Sequence, residues 1–336
     1  MNKLKVGVVG VGYWGPNIIR NFHAMDNASV VAVSDTNAKT FSRALRISDR
    51  IRTETDYKRI TDAKDIDIVC VVTPVASHYE VARRALEQGK HVFVEKPFTA
   101  SSAQAEELIT LARSRGLRIM VDHTMLFTGS VRKMKDVVDS GVMGKLLYYD
   151  SMRVNLGLFQ HDVNVIWDLA PHDFSIADYL LSSKPVAVAA HGLDHFDRGA
   201  EDVAYVVIYF ENNIIAHCNF NWISPIKVRH VLLSGEYKSL LWDDVEPDEK
   251  IKIYDRGVKV PDREKMHQLL VTYRFGDMVA PKVDNKEALA LEAEYFLDGI
   301  LKGSPFINDG EAGLRMVKLL EACDRSLKNR GELVLL

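Results

Sequence analysis

The first part of the chain consists of short apolar runs that alternate with segments of helical periodicity. The runs are rich in β-branched residues, as in strands buried on both faces of a parallel sheet, and they cover residues 5–9, 30–34, 66–72, 91–95 and 117–121. Apolar residues at helical spacing predict intervening helices over 37–47, 55–63, 75–88 and 101–115. Strands that alternate with helices predict a parallel sheet with helices on both faces.

Beyond residue 122 the pattern changes to alternating apolar and polar positions. This alternation predicts an antiparallel sheet with strands at 146–155, 186–193, 203–210, 214–222, 228–234, 239–243 and 251–254. Helices are predicted at 130–140, 174–181, 287–301 and 310–327, and the charged segment 256–285 is interpreted as a long loop or an oligomer arm. The fold class is therefore α/β, with a parallel-sheet domain at 1–122 and a second α/β domain at 123–336.

The loop after the first strand carries the pattern Gly-x-Gly-x-x-Gly at Gly10, Gly12 and Gly15, and apolar residues at helical spacing follow it. In this context Gly10 permits a tight turn, Gly12 allows a pyrophosphate to approach backbone N–H groups, and Gly15 allows close packing. An ordinary glycine-rich turn before a helix is the alternative. The order of strand, loop, helix and second strand favours a dinucleotide-binding Rossmann domain.

Asp35 ends the second strand, where an acidic residue of this fold holds the adenosine ribose. A carboxylate there accepts from a 2′-hydroxyl and repels a 2′-phosphate, so the sequence favours NAD over NADP. NADP stays open because Lys39 and Arg43 on the next helix can offset that repulsion, although a solvated helix face explains them equally well. Tyr13 and Trp14 are expected to line the pyrophosphate and nicotinamide region.

Composition narrows the classes of partner. A chain of 336 residues exceeds one hydrophobic core, so two domains are expected. A net charge of −3 gives no basic field for nucleic acid or an anionic membrane, and no apolar run has the length of a membrane span. The start of the chain resembles no export signal, so we expect a cytoplasmic protein. Cys70, Cys218 and Cys323 are far apart in apolar surroundings and are interpreted as core thiols.

Ligands of open parallel sheets bind beyond the carboxyl ends of the strands, so residues that directly follow a strand are candidates for chemistry. Thr73 and Pro74 follow one predicted strand, and Glu95 and Lys96 end another. A lysine at the mouth of a nucleotide crevice can polarise a substrate oxygen or move a proton. A solvated loop lysine is the alternative.

Three motifs together resemble the glucose-fructose oxidoreductase, inositol dehydrogenase and MocA family: the glycine loop, Thr73-Pro74 followed by His78, and Gly-Lys-His-Val-Phe-Val-Glu-Lys-Pro at 89–97. The resemblance covers essentially the whole chain. It implies an NAD(P)-dependent oxidoreductase of sugars or cyclitols, with a Rossmann domain and an α/β domain built on one large, mostly antiparallel sheet. The cofactor-binding residues are then Gly10, Gly12, Tyr13, Trp14, Gly15, Asp35, Thr73, Pro74, His78, Glu95 and Lys96.

The resemblance also identifies Lys96 as the lysine that contacts substrate and nicotinamide ribose, and Asp168 and His172 as an Asp-x-x-x-His element. Pro171 suits the first turn of the predicted helix, which would place His172 near a helix N-terminus and keep its imidazole neutral and available as a base. We expect His172 to act as acid/base, Lys96 to stabilise a developing alkoxide, and Asp168 to orient the substrate or the histidine. The roles of Lys96 and His172 are interchangeable at this point.

Substrate contacts are expected from Lys96, Arg153, Asn155, Asp168 and His172, with further polar groups at His161, Asn164, Lys227 and Arg229. Amide and basic groups suit a polyhydroxylated ligand that carries phosphate or carboxylate. Gly-Tyr-Trp-Gly-Pro-Asn and Trp-Asp-Leu-Ala-Pro-His-Asp are similar to the branch of the family found in nucleotide-sugar pathways. That branch oxidises a hydroxyl such as the one at sugar C3, or reduces a keto-sugar. An inositol or free-sugar dehydrogenase is the alternative within the family.

Two other classes remain open. One loop is rich in potential metal ligands, which would suit a metal-assisted lyase or hydrolase; they are His191, Asp194, His195, Asp197, Glu201 and Asp202. A nucleotide-binding regulator without turnover is the other class. The alternating strands also predict an exposed apolar sheet face, so we expect a homodimer or homotetramer joined through the second domain.

Overall fold

The computed structural model describes residues 3–157, 159–160, 163–259 and 272–336. The chain forms two compact units. The first comprises Met1–Phe127 and Lys286–Glu321, and the second comprises Thr128–Asn285 and Ala322–Leu336. The expected division into 1–122 and 123–336 therefore differs from the observed one, because a late segment of the chain belongs to the first unit.

Six strands of the described residues form a wholly parallel sheet in the first unit, in the order β3-β2-β1-β4-β5-β6. This is the predicted Rossmann sheet. The strands are β1 Leu4–Val9, β2 Ala28–Ser34, β3 Arg52–Glu54, β4 Ile68–Val71, β5 His91–Glu95 and β6 Ile119–Asp122.

Helices pack around both sheets. They are α1 Gly15–Ala24, α2 Phe41–Leu45, α3 Lys58–Thr61, α4 His78–Glu87, α5 Ser102–Ser114, α6 Gly129–Asp139, α7 Val165–Leu181, α8 Ala288–Lys302 and α9 Gly310–Lys328. Helices α2 and α3 are shorter than the predicted segments 37–47 and 55–63. Among the described helices, none is long and apolar enough to cross a membrane.

An aromatic core explains why α8 belongs to the first unit. The ring of Phe296 on α8 lies 5.7 Å from that of Phe93 on β5 and 6.4 Å from that of Phe22 on α1. Leu289 and Leu297 of the same helix are buried in this core. Fully burying such side chains contributes about 1.5–3 kcal/mol each, so the helix stays with the Rossmann sheet although it follows the second unit in sequence.

Nine strands of the described residues form the sheet of the second unit, in the order β14-β13-β12-β11-β7-β10-β9-β8-β15. Neighbouring strands are antiparallel except β7 and β10, as the mostly antiparallel prediction requires. The strands are β7 Leu146–Leu156, β8 Pro185–Leu193, β9 Val203–Phe210, β10 Ile214–Asn221, β11 Ile223–Gly235, β12 Ser239–Asp243, β13 Ile251–Lys259, β14 Thr272–Val279 and β15 Val334–Leu335.

The interpretation of 256–285 as a long loop or arm is wrong for its two strand portions. Strand β13 continues to Lys259, and β14 pairs with it at the edge of the sheet. Their charged residues suit an edge strand, and Arg274 Nη1 lies 2.5 Å from Asp255 Oδ1. Residues 260–271 lie outside the described residues.

The three cysteines are free and buried, as predicted. Burial raises the pKa of the thiols of Cys70, Cys218 and Cys323. These side chains are therefore neutral core groups rather than reactive thiolates.

Candidate active site

The glycine loop has the conformation that its sequence predicts. Gly10 has a φ of +102°, and a Cβ added there would lie 2.1 Å from the carbonyl oxygen of Val72. A Cβ at Gly15 would lie 2.4 Å from the carbonyl oxygen of Gly10, whereas a Cβ at Gly12 would meet open space. Gly10 therefore allows the loop to pass close to the end of β4, and Gly15 allows the loop to fold back on itself. Gly12 leaves room for a ligand to reach the backbone.

The start of α1 is arranged to bind an anion. Its N-cap residue, Trp14, makes no side-chain capping hydrogen bond, and Pro16 occupies the first turn. The N–H groups of that turn have no capping partner from the N-cap side chain, and the helix dipole favours negative charge there. This end of the helix suits the pyrophosphate of a dinucleotide.

A cavity of about 580 Å³ lies at the carboxyl ends of the strands of the first unit. This volume falls within the range of about 300–1,000 Å³ that is usual for small-molecule sites. Its walls include five residues predicted from the sequence: Gly10, Gly12, Asp35, Thr73 and Pro74. The structure thus brings the glycine loop, the ribose-binding acid and the loop after β4 together around one cavity.

Other walls of this cavity have no recognisable motif in the sequence; they are Thr55, Asp56, Tyr57, Ser77, Glu80 and Val81. Three of them follow β3, a strand too short to give a recognisable hydrophobic pattern. Tyr57 donates a hydrogen bond to Glu80, and burial together with this bond raises the pKa of Tyr57 to about 12. The phenol is therefore neutral and can present a ring face to a flat ligand.

Asp35 holds the glycine loop as well as lining the cavity. Its Oδ2 accepts from the N–H of Val11 at 2.8 Å, and its Oδ1 accepts from the N–H of Asn37 at 2.8 Å. A carboxylate has about four lone-pair positions, so these bonds leave acceptor capacity for a ribose hydroxyl.

Arg43 contacts the glycine loop, which a residue on a purely solvated helix face would not do. Its Nη1 donates to the carbonyl oxygen of Gly12 at 2.7 Å and to that of Val11 at 3.3 Å. Lys39 is exposed. The cation that closes over the glycine loop is therefore Arg43, and it stabilises the loop through backbone oxygens.

The two aromatic residues inside the loop differ in environment. Tyr13 is 87% exposed, whereas Trp14 packs against the core of the first unit. Trp14 Nε1 donates to Asp122 Oδ2 at 3.1 Å. The indole therefore ties the glycine loop to the end of β6.

His78 connects two loops that follow strands of the sheet. Its Nε2 lies 2.7 Å from the carbonyl oxygen of Thr73, and its Nδ1 lies 2.9 Å from that of Pro97. A neutral imidazole donates one of these bonds and a protonated imidazole donates both. The loop after β4 is thereby held against the loop that carries Lys96, which is half-buried.

The predicted position of His172 near a helix N-terminus is wrong. Helix α7 begins at Val165, and its N-cap Asn164 accepts from the N–H of Trp167 at 3.1 Å. Pro171 consequently lies inside the helix. An interior proline costs about 3 kcal/mol, which the buried apolar side chains on both sides of it offset. His172 therefore lies beyond the first turn of α7, where the N-terminal dipole acts.

Asp168 and His172 lie one turn apart on α7, so their side chains occupy the same face. Both are half-buried. Asp168 Oδ2 accepts from Trp222 Nε1 at 3.0 Å, which fixes the carboxylate from the neighbouring sheet. The structure therefore gives these two residues the adjacency that an acid/base pair needs.

Arg153 does not have the environment expected of a substrate-binding cation. It is 3% exposed, and its Nε lies 2.5 Å from Oδ2 of Asp173, which is also buried. A buried arginine requires such a partner because an isolated charge in the interior is very unfavourable. Asn155, two residues further along β7, lies on the same strand face and is only half-buried.

Other polar groups predicted to touch substrate also have structural partners. Asn164 caps α7 and donates to Glu201 and Asp324. Arg229 lies 3.7 Å from Asp244, and burial together with nearby Arg153 lowers its pKa. Lys227 is exposed, and His161 lies outside the described residues.

Hydrogen bonds hold the loop that carries the potential metal ligands. His195 lies 2.6 Å from Asp202, and Asp194 accepts from the N–H groups of Phe196 and Gly199. Among the described residues there is no group of three or more His, Cys, Asp or Glu side chains that could hold a metal ion. The metal-assisted alternative therefore has no structural support in this loop.

The candidate residues are divided between the two units. Lys96 and the residues around the nucleotide cavity belong to the first, whereas Asn155, Asp168 and His172 belong to the second. Each unit thus supplies part of the predicted set.

Comparison with known proteins divides the candidate residues between two domain models in the same way. The NAD-binding Rossmann-fold model of an oxidoreductase family, GFO/IDH/MocA, matches residues 4–123. The GFO/IDH/MocA C-terminal domain model matches residues 131–240.

Similar proteins act on sugars and cyclitols. The chain is 26% identical to UDP-N-acetylglucosamine 3-dehydrogenase of Acidithiobacillus ferrooxidans, over 94% of this chain and 95% of that protein. It is 28% identical to scyllo-inositol 2-dehydrogenase (NAD(+)) of Bacillus subtilis, over 57% and 58% of the two chains. A solved structure of the Acidithiobacillus ferrooxidans enzyme has a TM-score of 0.83 at 24% identity and covers 98% of this chain and 99% of that one, which shows a shared fold.

Proposed function

Because this chain belongs to the GFO/IDH/MocA oxidoreductase family, we propose that it transfers a hydride between NAD and a secondary hydroxyl or keto group of a sugar. The observation that carries this proposal is the cavity at the carboxyl ends of the Rossmann strands. The glycine loop and Asp35 line it, and the same loop leads into the start of α1, which has no side-chain cap. These are the groups that a dinucleotide needs. Open space at Gly12 supports the fit of a pyrophosphate.

In this mechanism bound NAD supplies the hydride acceptor, and the chain supplies positioned polar groups. His172 removes the proton from the reacting hydroxyl, or returns it in the reductive direction. Lys96 stabilises negative charge on the same oxygen. Asp168, fixed by Trp222, orients the imidazole or a neighbouring hydroxyl of the substrate.

For the substrate we propose a nucleotide sugar that is oxidised at C3 or reduced as a keto-sugar. The similarity to UDP-N-acetylglucosamine 3-dehydrogenase over nearly the full length of both chains supports this class. Similarity to scyllo-inositol 2-dehydrogenase keeps an inositol or a free sugar as the second candidate. In this proposal Asn155 contacts hydroxyl groups of the sugar, while Arg153 supports the site indirectly through its ion pair with Asp173 on α7.

We further propose a cytoplasmic homodimer or homotetramer. On β9 and β10, side chains alternate between a buried face and an exposed face, and the exposed face carries Tyr205, Tyr209 and Ile215. An apolar face of this kind is typical of an interface between subunits. The free, buried cysteines suit a reducing compartment. Light scattering should give at least twice the mass of one chain, and a monomeric mass would refute the assembly.

The function is tested by calorimetry with NAD and by a screen of nucleotide sugars, inositols and free sugars for NADH formation. Lys96→Ala and His172→Ala should each lower kcat by roughly 10²- to 10⁴-fold while NAD still binds. Lys64→Ala and His191→Ala change exposed residues of the same types and should retain full activity.

Two outcomes would contradict the proposal in different ways. Failure of the wild-type protein to bind either form of NAD would remove the redox function. Binding of NAD without turnover of any substrate would favour a nucleotide-binding regulator. The pH dependence of kcat in the two active-site variants separates the roles of Lys96 and His172, because the residue that moves the proton sets the pH profile.

A further inference from the structure

Two buried carboxyl groups lie at the end of β6, beneath the glycine loop. Asp122, the last residue of β6, is 2% exposed, and Glu292 on α8 is fully buried. Glu95 ends the neighbouring strand β5 and is paired in register with Asp122. Carboxyl groups are almost never buried without partners, so this cluster requires a physical explanation.

Asp122 accepts hydrogen bonds from several donors. Trp14 Nε1 donates to its Oδ2 at 3.1 Å. The hydroxyl of Thr124 donates to its Oδ1, and the N–H of the same residue lies 3.3 Å from that oxygen. Asp122 is therefore the acceptor in each of these bonds.

Glu292 has different partners. Its Oε1 accepts from Nδ2 of Asn308 at 2.8 Å, and that amide nitrogen also donates to the carbonyl oxygen of Val121 at 2.7 Å. Its other oxygen, Oε2, is buried and accepts from no donor among the described residues, and Asp122 is the charged group that acts on Glu292 most strongly. Two adjacent carboxyl groups can share a hydrogen bond only when one of them carries a proton, since ionised carboxylates are acceptors alone.

The surroundings of Glu292 place that proton on it. The groups that act on Glu292 are Asp122 on β6, Glu95 on β5, Thr124 and Asn308. None of these four is a cation. Burial and the negative charge of Asp122 both raise the pKa of Glu292 well above its ordinary value.

We propose that Glu292 is a positioning residue, which as a neutral acid donates to Asp122 and thereby fixes Trp14 and the glycine loop that binds NAD. The inference rests on the proposed function for its link to NAD. The chain of contacts runs from α8 through Asp122 to the indole that forms the N-cap of α1. Core packing of α8 is thereby coupled to the loop that receives the pyrophosphate.

The first test compares Glu292→Gln with Glu292→Leu. Glutamine keeps both bonds, because its oxygen can accept from Asn308 and its amide can donate to Asp122. Leucine leaves Asp122 without that donor. We expect Glu292→Gln to bind NAD within about twofold of wild type and Glu292→Leu to bind roughly tenfold more weakly, as loss of a hydrogen bond to a charged group implies. KM for NAD should rise in the leucine variant while kcat at saturating NAD stays unchanged.

The second test needs neither NAD nor the leucine variant. The pKa of Glu292 is higher in the folded state than in the unfolded state. At a pH between these two values, the folded protein holds a proton that the unfolded protein has lost, so a rise in pH favours unfolding. In urea denaturation, the ratio of the unfolding equilibrium constant of the wild type to that of Glu292→Gln should therefore rise about tenfold per pH unit above about pH 5. The infrared band of a protonated carboxyl group should be present at neutral pH and missing in Glu292→Gln.

Glu294→Gln is the matched control, because it removes the same charge from an exposed position of the same helix. It should show neither the change in NAD affinity nor the pH slope. A pH-independent ratio for Glu292→Gln, or an unchanged infrared band, would overturn the proposal. So would a leucine variant that binds NAD as wild type does. If the wild type binds no NAD, the proposed function fails, and the denaturation and infrared results still decide whether Glu292 holds the proton.

Discussion

The nucleotide cavity of the first unit and the face of α7 in the second are built in different ways. The cavity is formed largely by backbone groups and by residues that directly follow strands, such as Gly10 and Thr73. The face of α7 is formed by side chains in the middle of a helix whose start depends on the cap at Asn164. Strand ends can be located from local sequence, whereas the start of α7 and the burial of its residues depend on tertiary packing.

Two charged residues show the consequence of this difference. Asp35 and Arg153 were both expected to contact ligand. Asp35 lines the cavity and also holds the glycine loop, whereas Arg153 is buried against Asp173. A charge at a strand end is thus a better indicator of a ligand contact than a charge in the middle of a strand, where its exposure depends on what packs above it.

Replacing the buried Arg153 is expected to have the largest effect on the free energy of unfolding. Arg153→Met leaves the Asp173 carboxylate buried without its cation, which should lower the free energy of unfolding by about 3–5 kcal/mol. Urea denaturation measures this loss. Because Asp173 directly follows His172 on α7, kcat should also fall in the folded fraction.

The control for Arg153→Met is Arg113→Met, which breaks an exposed ion pair with Glu311. That change should cost less than about 1 kcal/mol. If Arg153→Met were as stable as the control and instead raised the KM of the sugar, the original assignment of Arg153 to the substrate would be restored, and the contrast between the two units would weaken.

The fold was predictable from the sequence in most respects, for reasons visible in particular residues. Both sheets, their strand directions and the family were predictable from periodicity and from motifs such as the one at 89–97; the structure confirms the sheets, and the comparisons confirm the family. The return of α8 to the first unit was missed because the packing of Phe296 against Phe22 is a tertiary contact without a local signal. The start of α7 was misplaced because Pro171 was given more weight than the cap at Asn164.

Asp35 sets the cofactor preference in the proposed function. Asp35→Ser removes the charge that repels a 2′-phosphate. The ratio of kcat/KM for NAD to that for NADP should therefore fall by about tenfold or more, because juxtaposed like charges cost several kcal/mol. Steady-state kinetics with the two cofactors measures this ratio.

Arg43→Met provides the comparison for the cofactor test. Arg43 contacts the backbone oxygens of Val11 and Gly12, so its loss should weaken the binding of both NAD and NADP. If the guanidinium supports only the loop, the ratio of kcat/KM for NAD to that for NADP should stay within about threefold of wild type. A selective loss of NADP would instead assign Arg43 to the 2′-phosphate. An unchanged ratio in Asp35→Ser would show that Asp35 only shapes the loop.

The smallest expected effect concerns the N-terminal end of α8. It tests whether this end, as well as the apolar face of the helix, holds α8 to the rest of the first unit. Arg20 on α1 forms two hydrogen bonds with Glu287, the N-cap of α8, and these bonds together with one from Asn21 lower the pKa of Glu287 to about 2. Because the pKa is lowered, the stabilisation is present above the unfolded pKa of 4.5 and is lost as the pH falls toward about 2.

Glu287→Gln should therefore lower the free energy of unfolding by about 1 kcal/mol or less at neutral pH, because both side chains are about half exposed. Near pH 2 it should have no effect. Denaturation across this range, with and without added salt, measures the difference. A cost that persists at the acid end would mean that Glu287 contributes through packing rather than charge, and α8 would then be held to the Rossmann sheet by its apolar face alone.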